Sequence, residues 1–160
     1  GEYALFHNTF YTGSGDFIRQ NPTFAFTNVT RDPLTGAILE EYEIKYTFIN
    51  NIIDGIQSDG EIVGDFSPNT TLIDAESVID YNAIYTEDMA SFGSGSSNIQ
   101  LTADDLMYVD LPNYVLDLDS LSPARNVALP LAAPLPTISD DYCDRLRDDS
   151  PDIGAYESQY

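Results

Sequence analysis

An asparagine at the start of a short apolar segment recurs three times, and this repeat constrains the fold more than any other feature of the sequence. Each asparagine is followed by a small or apolar residue and then by a large apolar one. The copies are His7-Asn8-Thr9-Phe10-Tyr11-Thr12-Gly13, Ile49-Asn50-Asn51-Ile52-Ile53-Asp54-Gly55 and Tyr81-Asn82-Ala83-Ile84-Tyr85-Thr86. Repeats spaced by a few tens of residues are typical of solenoids.

No stretch of the chain has sustained helical periodicity, so the sequence predicts an all-β protein of short strands. A β-sandwich and a parallel β-helix both fit this pattern. The asparagine repeat favours the β-helix, because equivalent side chains stack on successive coils and stacked amides hydrogen-bond along the column. Asparagine also tolerates the left-handed backbone of tight corners. We therefore predict a structural ladder of Asn8, Asn51 and Asn82 at equivalent corners, with Phe10, Ile52 and Ile84 in the core. The alternative is that these asparagines are ordinary turn residues.

The predicted β-helix coils occupy residues 1–120 and are interrupted by an inserted β-hairpin over about residues 20–45. The hairpin is indicated by alternating β-rich segments on either side of a turn that contains Pro33 and Gly36. From Pro112 onward prolines recur, which excludes a long regular helix. Residues 121–160 are therefore predicted to form a loop-rich C-terminal capping segment.

The charge of the chain limits its partners. There are 27 acidic residues against 6 basic ones, a net charge of −21. Nucleic acid is excluded as a partner, because its recognition needs clustered Lys and Arg. No apolar run approaches the roughly 18 residues of a membrane span. Such an acidic surface is typical of a soluble protein in a salty or extracellular setting, or of one that binds divalent cations.

Four motifs in the last third of the chain occur in a fixed order. They are Asp105-Leu106-Met107-Tyr108-Val109-Asp110, Asn113-Tyr114-Val115-Leu116, Leu121-Ser122-Pro123-Ala124 and Pro151-Asp152-Ile153-Gly154-Ala155-Tyr156-Glu157. Residues 104–157 thereby resemble the C-terminal end of secreted bacterial right-handed parallel β-helix proteins, a group that includes choice-of-anchor Q proteins and polysaccharide-lyase-like relatives. The chain departs from the usual pattern at Leu106, at Arg125-Asn126 and at Cys143.

The resemblance implies a right-handed β-helix that is secreted or on the cell surface and is part of a larger protein. The function expected from it is that of a structural, assembly or glycan-binding module, with polysaccharide as the ligand class. The alternative is the C-terminal fragment of a polysaccharide lyase or glycosidase whose active site lies mainly outside this chain. A lyase needs a cation and a base. The candidates His7, Arg19, Arg31 and Lys45 do not cluster in sequence and His7 is predicted to face outward, so no catalytic residue is assigned.

Two further sites are predicted from local composition. The carboxylates of Asp140, Asp141 and Asp144 lie within one turn and form a candidate calcium site. The alternative there is an Asp-rich turn that pairs with Arg145 and Arg147. Tyr81 and Tyr85 are candidates for stacking on sugar rings, with packing against the inserted hairpin as the alternative.

The strand predicted at residues 3–11 belongs to the first coil, and no coil in this chain precedes it. Buried backbone groups need partners, and an open apolar coil is an aggregation site. We therefore expect another polypeptide to cover this end: a missing N-terminal part, a second chain, or a copy of this chain stacked head to tail.

Overall fold

The computed structural model of the chain describes residues 1–12, 22–55, 62–86, 96–102, 105, 107–132 and 135–158. The described part is all-β, and its helical elements are the short 3-10 helices Thr70–Leu72 and Leu111–Asn113. No helix in these ranges has the length and apolar character that a membrane crossing requires. The strands are β1 (Glu2–Phe6), β2 (Thr9–Tyr11), β3 (Phe24–Thr27), β4 (Val29–Arg31), β5 (Ile38–Glu41), β6 (Lys45–Ile49), β7 (Ile52–Asp54), β8 (Ile62–Asp65), β9 (Val78–Asp80), β10 (Ala83–Tyr85), β11 (Ile99–Leu101), β12 (Tyr108–Asp110) and β13 (Val115–Leu118).

Three parallel sheets organise the first two thirds of the chain. Sheet 1 has the order β1-β6-β9, sheet 2 the order β2-β7-β10-β11, and sheet 3 pairs β3 with β8. The chain passes through sheets 1, 2 and 3 in that order and then does so again. We call β1, β2 and β3 the first layer, β6, β7 and β8 the second, β9 and β10 the third, and β11 the fourth.

The two central strands of sheet 2, β7 and β10, bury both of their faces. Phe10, Ile53 and Ile84 are in register on one face, whereas Ile52 is in register with Thr9 and Ala83 on the other. Successive residues of a strand point to opposite faces, so the pair Ile52-Ile53 contributes to two cores. Such continuous apolar runs are typical of parallel strands that are covered on both sides.

The two cores differ in what they join. The inner cluster lies among the strands of sheets 1, 2 and 3 and contains Phe48, Ile53 and Ile84, with the partly buried Leu5, Phe10, Phe24, Phe26, Tyr46 and Ile79 around them. The outer cluster lies between sheet 2 and the residues that follow it, and its buried members are Ile52, Ala83, Leu101, Met107, Tyr108, Leu118, Ala124, Ala128 and Ile153. Phe10, Ile52 and Ile84 thus all pack in a core, though not in the same one.

The inserted hairpin is shorter than the sequence predicts. It consists of β4 and β5, which pair antiparallel between residues 29 and 41. Its turn is closed by Asp32, whose side chain accepts hydrogen bonds from the N–H groups of Leu34 and Thr35, both 2.8 Å. Residues 24–27 lie instead in sheet 3, because Phe24 and Phe26 pack against the inner cluster.

The C-terminal segment, residues 119–158, runs along the side of sheet 2. Ile153 is fully buried in the outer cluster, and the Gly154 N–H donates to the carbonyl of Asn50 (2.8 Å). Gly154 has a positive φ of 96°, and a Cβ there would lie 2.6 Å from Ile52 Cδ1 and 2.7 Å from Thr9 Oγ1. The sequence predicts an end cap here, but these contacts are lateral and reach back to the first layer.

Candidate functional site

Four asparagines form a column of amide hydrogen bonds across the layers of sheet 2. The backbone N–H and Nδ2 of Asn8 donate to Oδ1 of Asn51, both at 3.0 Å. Asn51 makes the same pair of contacts to Asn82 (2.8 and 2.9 Å), and Asn82 makes it to Asn98 (2.9 and 3.1 Å). The structure therefore brings the predicted Asn8, Asn51 and Asn82 together and adds a fourth member.

Backbone hydrogen bonds repeat at the same corners. Each asparagine carbonyl accepts from the first strand residue of the next layer: Asn8 from Ile52 (2.8 Å), Asn51 from Ala83 (2.9 Å) and Asn82 from Ile99 (2.7 Å). In addition, Nδ2 of each later asparagine donates to a carbonyl of the preceding layer, that of Leu5, Phe48 or Ile79. Asn51 and Asn82 are 1 % and 0 % exposed, so this amide column satisfies polar groups that have no access to water.

At the corners of Asn8, Asn51 and Asn82, the left-handed residue is the one before the ladder asparagine. His7, Asn50 and Tyr81 have φ values of 52°, 61° and 54°. The sequence predicts the left-handed backbone at Asn8, Asn51 and Asn82 themselves. Their role is the hydrogen-bonded column, and the preceding residue reverses the chain direction between sheet 1 and sheet 2.

In the described part of the chain, no further layer covers one end of the molecule. The strands β1 and β2 are edge strands of their sheets, and both belong with β3 to the first layer. Within the described ranges, Asn8 Oδ1 and the Thr9 N–H have no hydrogen-bond partner. A cleft of about 570 Å³ opens at the same end and is lined by Glu2, Tyr3, Ala4, Leu5, Phe24, Ala25, Phe26, Thr27 and Phe48.

His7 is buried rather than outward-facing, because its left-handed backbone turns the side chain towards the C-terminal segment. It is 7 % exposed, and Nδ2 of Asn50 lies 2.9 Å from its Nε2. An amide nitrogen can only donate, so Nε2 is the unprotonated acceptor. Burial, reinforced by the positive charge of Arg147, lowers the pKa of His7 from 6.5 to about 4. The ring is therefore neutral at pH 7 and is inaccessible to a substrate.

The other basic candidates for catalysis are held in ion pairs. Arg31 Nη2 lies 2.8 Å from Asp65 Oδ1, and Lys45 Nζ lies 2.7 Å from Glu76 Oε2. Arg19 lies outside the described residues. The structure brings none of the described candidates close to another in the manner that carboxylate neutralisation and proton abstraction require.

The Asp-rich turn is organised by hydrogen bonds from the chain itself. Asp141 Oδ1 accepts from the N–H groups of Cys143 and Arg145, both 2.8 Å, and Oδ2 accepts from Arg145 Nε (2.6 Å) and the Glu157 N–H (2.8 Å). Partial burial opposes ionisation of Asp141, but these donors hold its pKa below the ordinary value. Both oxygens are thus already occupied.

The three carboxylates predicted to bind calcium are not gathered around a common point. Asp140 and Asp144 are exposed, and Asp140 Oδ2 contacts Ser139 Oγ at 3.0 Å. In the described part of the chain, no group of three His, Cys, Asp or Glu side chains is placed to hold a metal ion. The geometry agrees with the alternative of an arginine-paired turn for Arg145, which pairs with Asp141, whereas Arg147 pairs with Glu157 instead. These residues do not fit calcium.

The tyrosines predicted to stack on sugars are not fully exposed. Tyr85 packs against the outer cluster, and Tyr81 is half-buried at a left-handed corner. Neither therefore offers a free ring face comparable to that of Tyr142, which is 78 % exposed and makes an edge contact with Tyr156 (5.8 Å between ring centroids). No pattern in the sequence indicates this tyrosine pair.

A buried ionic network in the C-terminal segment was also missed. Arg147 Nη1 lies 3.1 Å from Glu157 Oε2, and Arg147 also donates to the carbonyls of Asp152 and Gly154. The side chains of Arg147 and Glu157 are 4 % and 6 % exposed. Burial lowers the pKa of Arg147 and raises that of Glu157. The available signal was an arginine followed ten residues later by the final glutamate of the Asp-Ile-Gly-Ala-Tyr-Glu motif.

Comparisons of the chain with family models, with curated proteins and with solved structures return no match. The resemblance of residues 104–157 to secreted β-helix proteins therefore stays a prediction. The strongest candidate for a functional surface is the uncovered first layer, since it combines free strand edges, an apolar cleft and the unfilled end of the asparagine column.

Proposed function

We propose that this chain is a module of an extracellular, right-handed parallel β-helix with a structural or assembly role, in which further polypeptide covers the first layer. The observation that carries the proposal is the location of the edge strands. The first members of sheets 1, 2 and 3 all lie at one end of the molecule. One partner that lies across this end would therefore extend all three sheets at once.

The physical reason for a partner is the chemistry of this end. Edge strands present backbone N–H and C=O groups that pair with any available strand. The cleft beside them is lined by aromatic and aliphatic side chains, and Tyr3 is 54 % exposed. Covering Leu5, Phe24 and Phe26 would remove apolar surface from water, which stabilises a complex by about 25 cal/mol for each Å².

A structural role also agrees with the state of the described charged groups. The ion pairs of Arg31, Lys45 and Arg147 link parts of the fold to each other. A parent enzyme that acts on polysaccharides would accordingly have its active site outside the residues that the structure describes. A glycan-binding role remains part of the proposal.

The test is the assembly state of the purified chain at high salt, which screens its net charge of −21. We expect self-association that increases with concentration, because the uncovered layer pairs with any strand edge. Tyr3→Lys places a charge at the open layer and should give a monomer. Tyr114→Lys, at a 77 % exposed tyrosine elsewhere, is the matched control and should associate as the wild type does. A wild-type chain that stays monomeric, with slow amide exchange in β1 and β2, contradicts the proposal.

A further inference from the structure

We infer that the partner at the first layer is a polypeptide coil that carries its own corner asparagine, placed in the register of Asn51 and Asn82. This inference rests on the proposed function and specifies the partner's chemistry. Among the residues that the structure describes, the groups left open at the first corner are an acceptor, Asn8 Oδ1, and a donor, the Thr9 N–H. The equivalent groups of the second layer, Asn51 Oδ1 and the Ile52 N–H, are both paired with Asn8 of the first layer.

The three contacts between successive asparagines of the column show which groups bind such an acceptor and donor. At each step the upstream asparagine donates its backbone N–H and Nδ2 to the downstream Oδ1, at distances from 2.8 to 3.1 Å. At each step its carbonyl also accepts from the first strand residue downstream, at 2.7 to 2.9 Å. Asparagine supplies the backbone N–H, the side-chain N–H and the carbonyl within one residue.

An incoming asparagine would make the same three contacts to Asn8 Oδ1 and the Thr9 N–H. A strand without it leaves Asn8 Oδ1 with a single backbone donor. An incoming aspartate would place a carboxylate beside Oδ1, and two acceptors facing each other repel. The open corner therefore distinguishes among strands that the β1 and β2 edges alone would accept.

A second copy of this chain fits less well than a distinct coil. Its Asn98 corner could approach Asn8, but in the described residues the fourth layer contributes only β11, in sheet 2. The β1 edge would then have no described partner strand. Each copy also carries a net charge of −21, which opposes stacking of like chains. We therefore assign the site to a coil with a strand in both sheet 1 and sheet 2.

The chain itself provides a probe coil. Residues 45–77 are duplicated and placed directly before Ala4, which takes the position of Val78 because both pair with Thr47. The duplicated Asn51 then precedes Asn8 by the same 31 residues that separate Asn51 from Asn82. We expect the extra coil to raise the melting temperature and to slow exchange of the Thr9 amide about tenfold, as one added hydrogen bond does.

The variants separate this inference from the proposed function. Asn51→Ala in the duplicated segment alone should lose most of the gain in melting temperature, whereas Thr70→Ala in the same segment, at an exposed residue, should keep it. If the added coil with Asn51→Ala raises the melting temperature and protects the Thr9 amide as much as the unmutated coil does, the first layer does not select for asparagine. Only the inference is then overturned. If neither coil stabilises the chain, the proposed function fails with it.

A separate variant tests whether a second copy of this chain is the natural partner at the first layer. In the chain without the duplication, Asn98→Ala would then abolish self-association at high salt, because the column of one copy would end on Asn8 of the next. That result would overturn the assignment to a distinct coil. Self-association that Asn98→Ala leaves unchanged supports the assignment, since it then arises from the strand edges alone.

Discussion

The layered sheets satisfy their buried polar groups by repetition, whereas the C-terminal segment satisfies them by individual contacts. From Asn8 to Asn98 the same set of amide and backbone hydrogen bonds recurs at every step. In the segment, by contrast, Asp141 accepts four hydrogen bonds and Arg147 donates to three different residues, and neither arrangement recurs.

The difference follows from the neighbours that each region has. A strand in the layers has a further strand beside it, so neutral groups suffice and no charge is desolvated. Where the structure describes the segment, no regular strand follows β13, and its N–H groups need other acceptors. Carboxylates provide several in one side chain: Asp152 accepts from the N–H groups of Asn126 and Ser158, both 2.7 Å. Repetition allows the layers to be extended, while the segment fits one place only.

Breaking the ladder should have the largest effect. Asn51→Ala removes the acceptor of two hydrogen bonds from Asn8 and the donor to Leu5 and Asn82. We expect a loss of about 3 to 5 kcal/mol in the free energy of unfolding, measured with urea at pH 7. Asn69→Ala, at an exposed asparagine that caps a 3-10 helix, should lose less than about 1 kcal/mol. Equal losses would show that the column does not stabilise the layers.

The buried ion pair should respond differently from the ladder. Arg147→Met leaves the Glu157 carboxylate buried without its cation, and we expect a loss of about 3 kcal/mol. Adding Glu157→Gln should recover part of it, because the neutral amide still accepts from the Asp152 N–H. The double ladder variant Asn51→Ala/Asn82→Ala should instead lose more than either single variant. Urea unfolding of both sets of variants provides the measurement. If the double ladder variant were more stable than either single variant, the two regions would not differ in this way.

The stability of the junction between the two regions should depend on pH through the titration of His7. Its folded-state pKa of about 4 lies below the unfolded value of 6.5, so the unfolded chain binds the extra proton between these values. Stability should therefore fall as the pH falls through this window, by up to about 3 kcal/mol. His7→Asn keeps a residue that tolerates the left-handed corner but does not titrate. Urea unfolding at pH 7 and pH 4 should show a smaller difference for His7→Asn, and an unchanged difference would exclude His7 as its source.

The Asp-rich turn should show the smallest effect of the four. Asp141→Asn removes the charged acceptor of Arg145, and we expect a loss of about 2 kcal/mol. The loss should be the same in calcium and in EDTA, because the Asp141 oxygens are occupied by protein donors. Thermal melts in the two buffers provide the measurement. A wild-type melting temperature that falls in EDTA, with no such fall for Asp141→Asn, would instead establish the calcium site predicted from sequence.

The sequence predicted the repeating part of the molecule better than the irregular part. The asparagine column was visible because equivalent positions carry the same residue, and the hairpin because Pro33 and Gly36 punctuate its turn. Asn98 was missed, since it lies only 16 residues after Asn82 and follows a Gly/Ser-rich stretch. The orientation of His7 depends on a left-handed backbone that strand alternation does not predict.

Contacts of the C-terminal segment could not be derived from spacing. Nothing in the local sequence indicates that Gly154 packs on Ile52 or that Asn50 pairs with both backbone groups of Leu129, 79 residues away. Likewise, Tyr81 and Tyr85 are of a residue type that stacks on sugars, and only the packing of sheet 2 shows how little of their ring surface is exposed. Such contacts depend on the tertiary path of the chain.

The Ala155 N–H donates to Thr9 Oγ1, a contact across 146 residues, and this has a consequence for the order of events in folding. Layers whose asparagines are 31 or 43 residues apart can assemble as the chain emerges. The side of the first layer at Thr9, however, stays uncovered until residue 155 has been synthesised. Contacts of such long sequence separation slow folding, because the entropy cost of closing the loop comes before the contact can stabilise the chain. A ribosome-bound chain that stops before Asp152 should therefore hold its layers with Thr9 and the neighbouring side of Ile52 still exposed to chaperones.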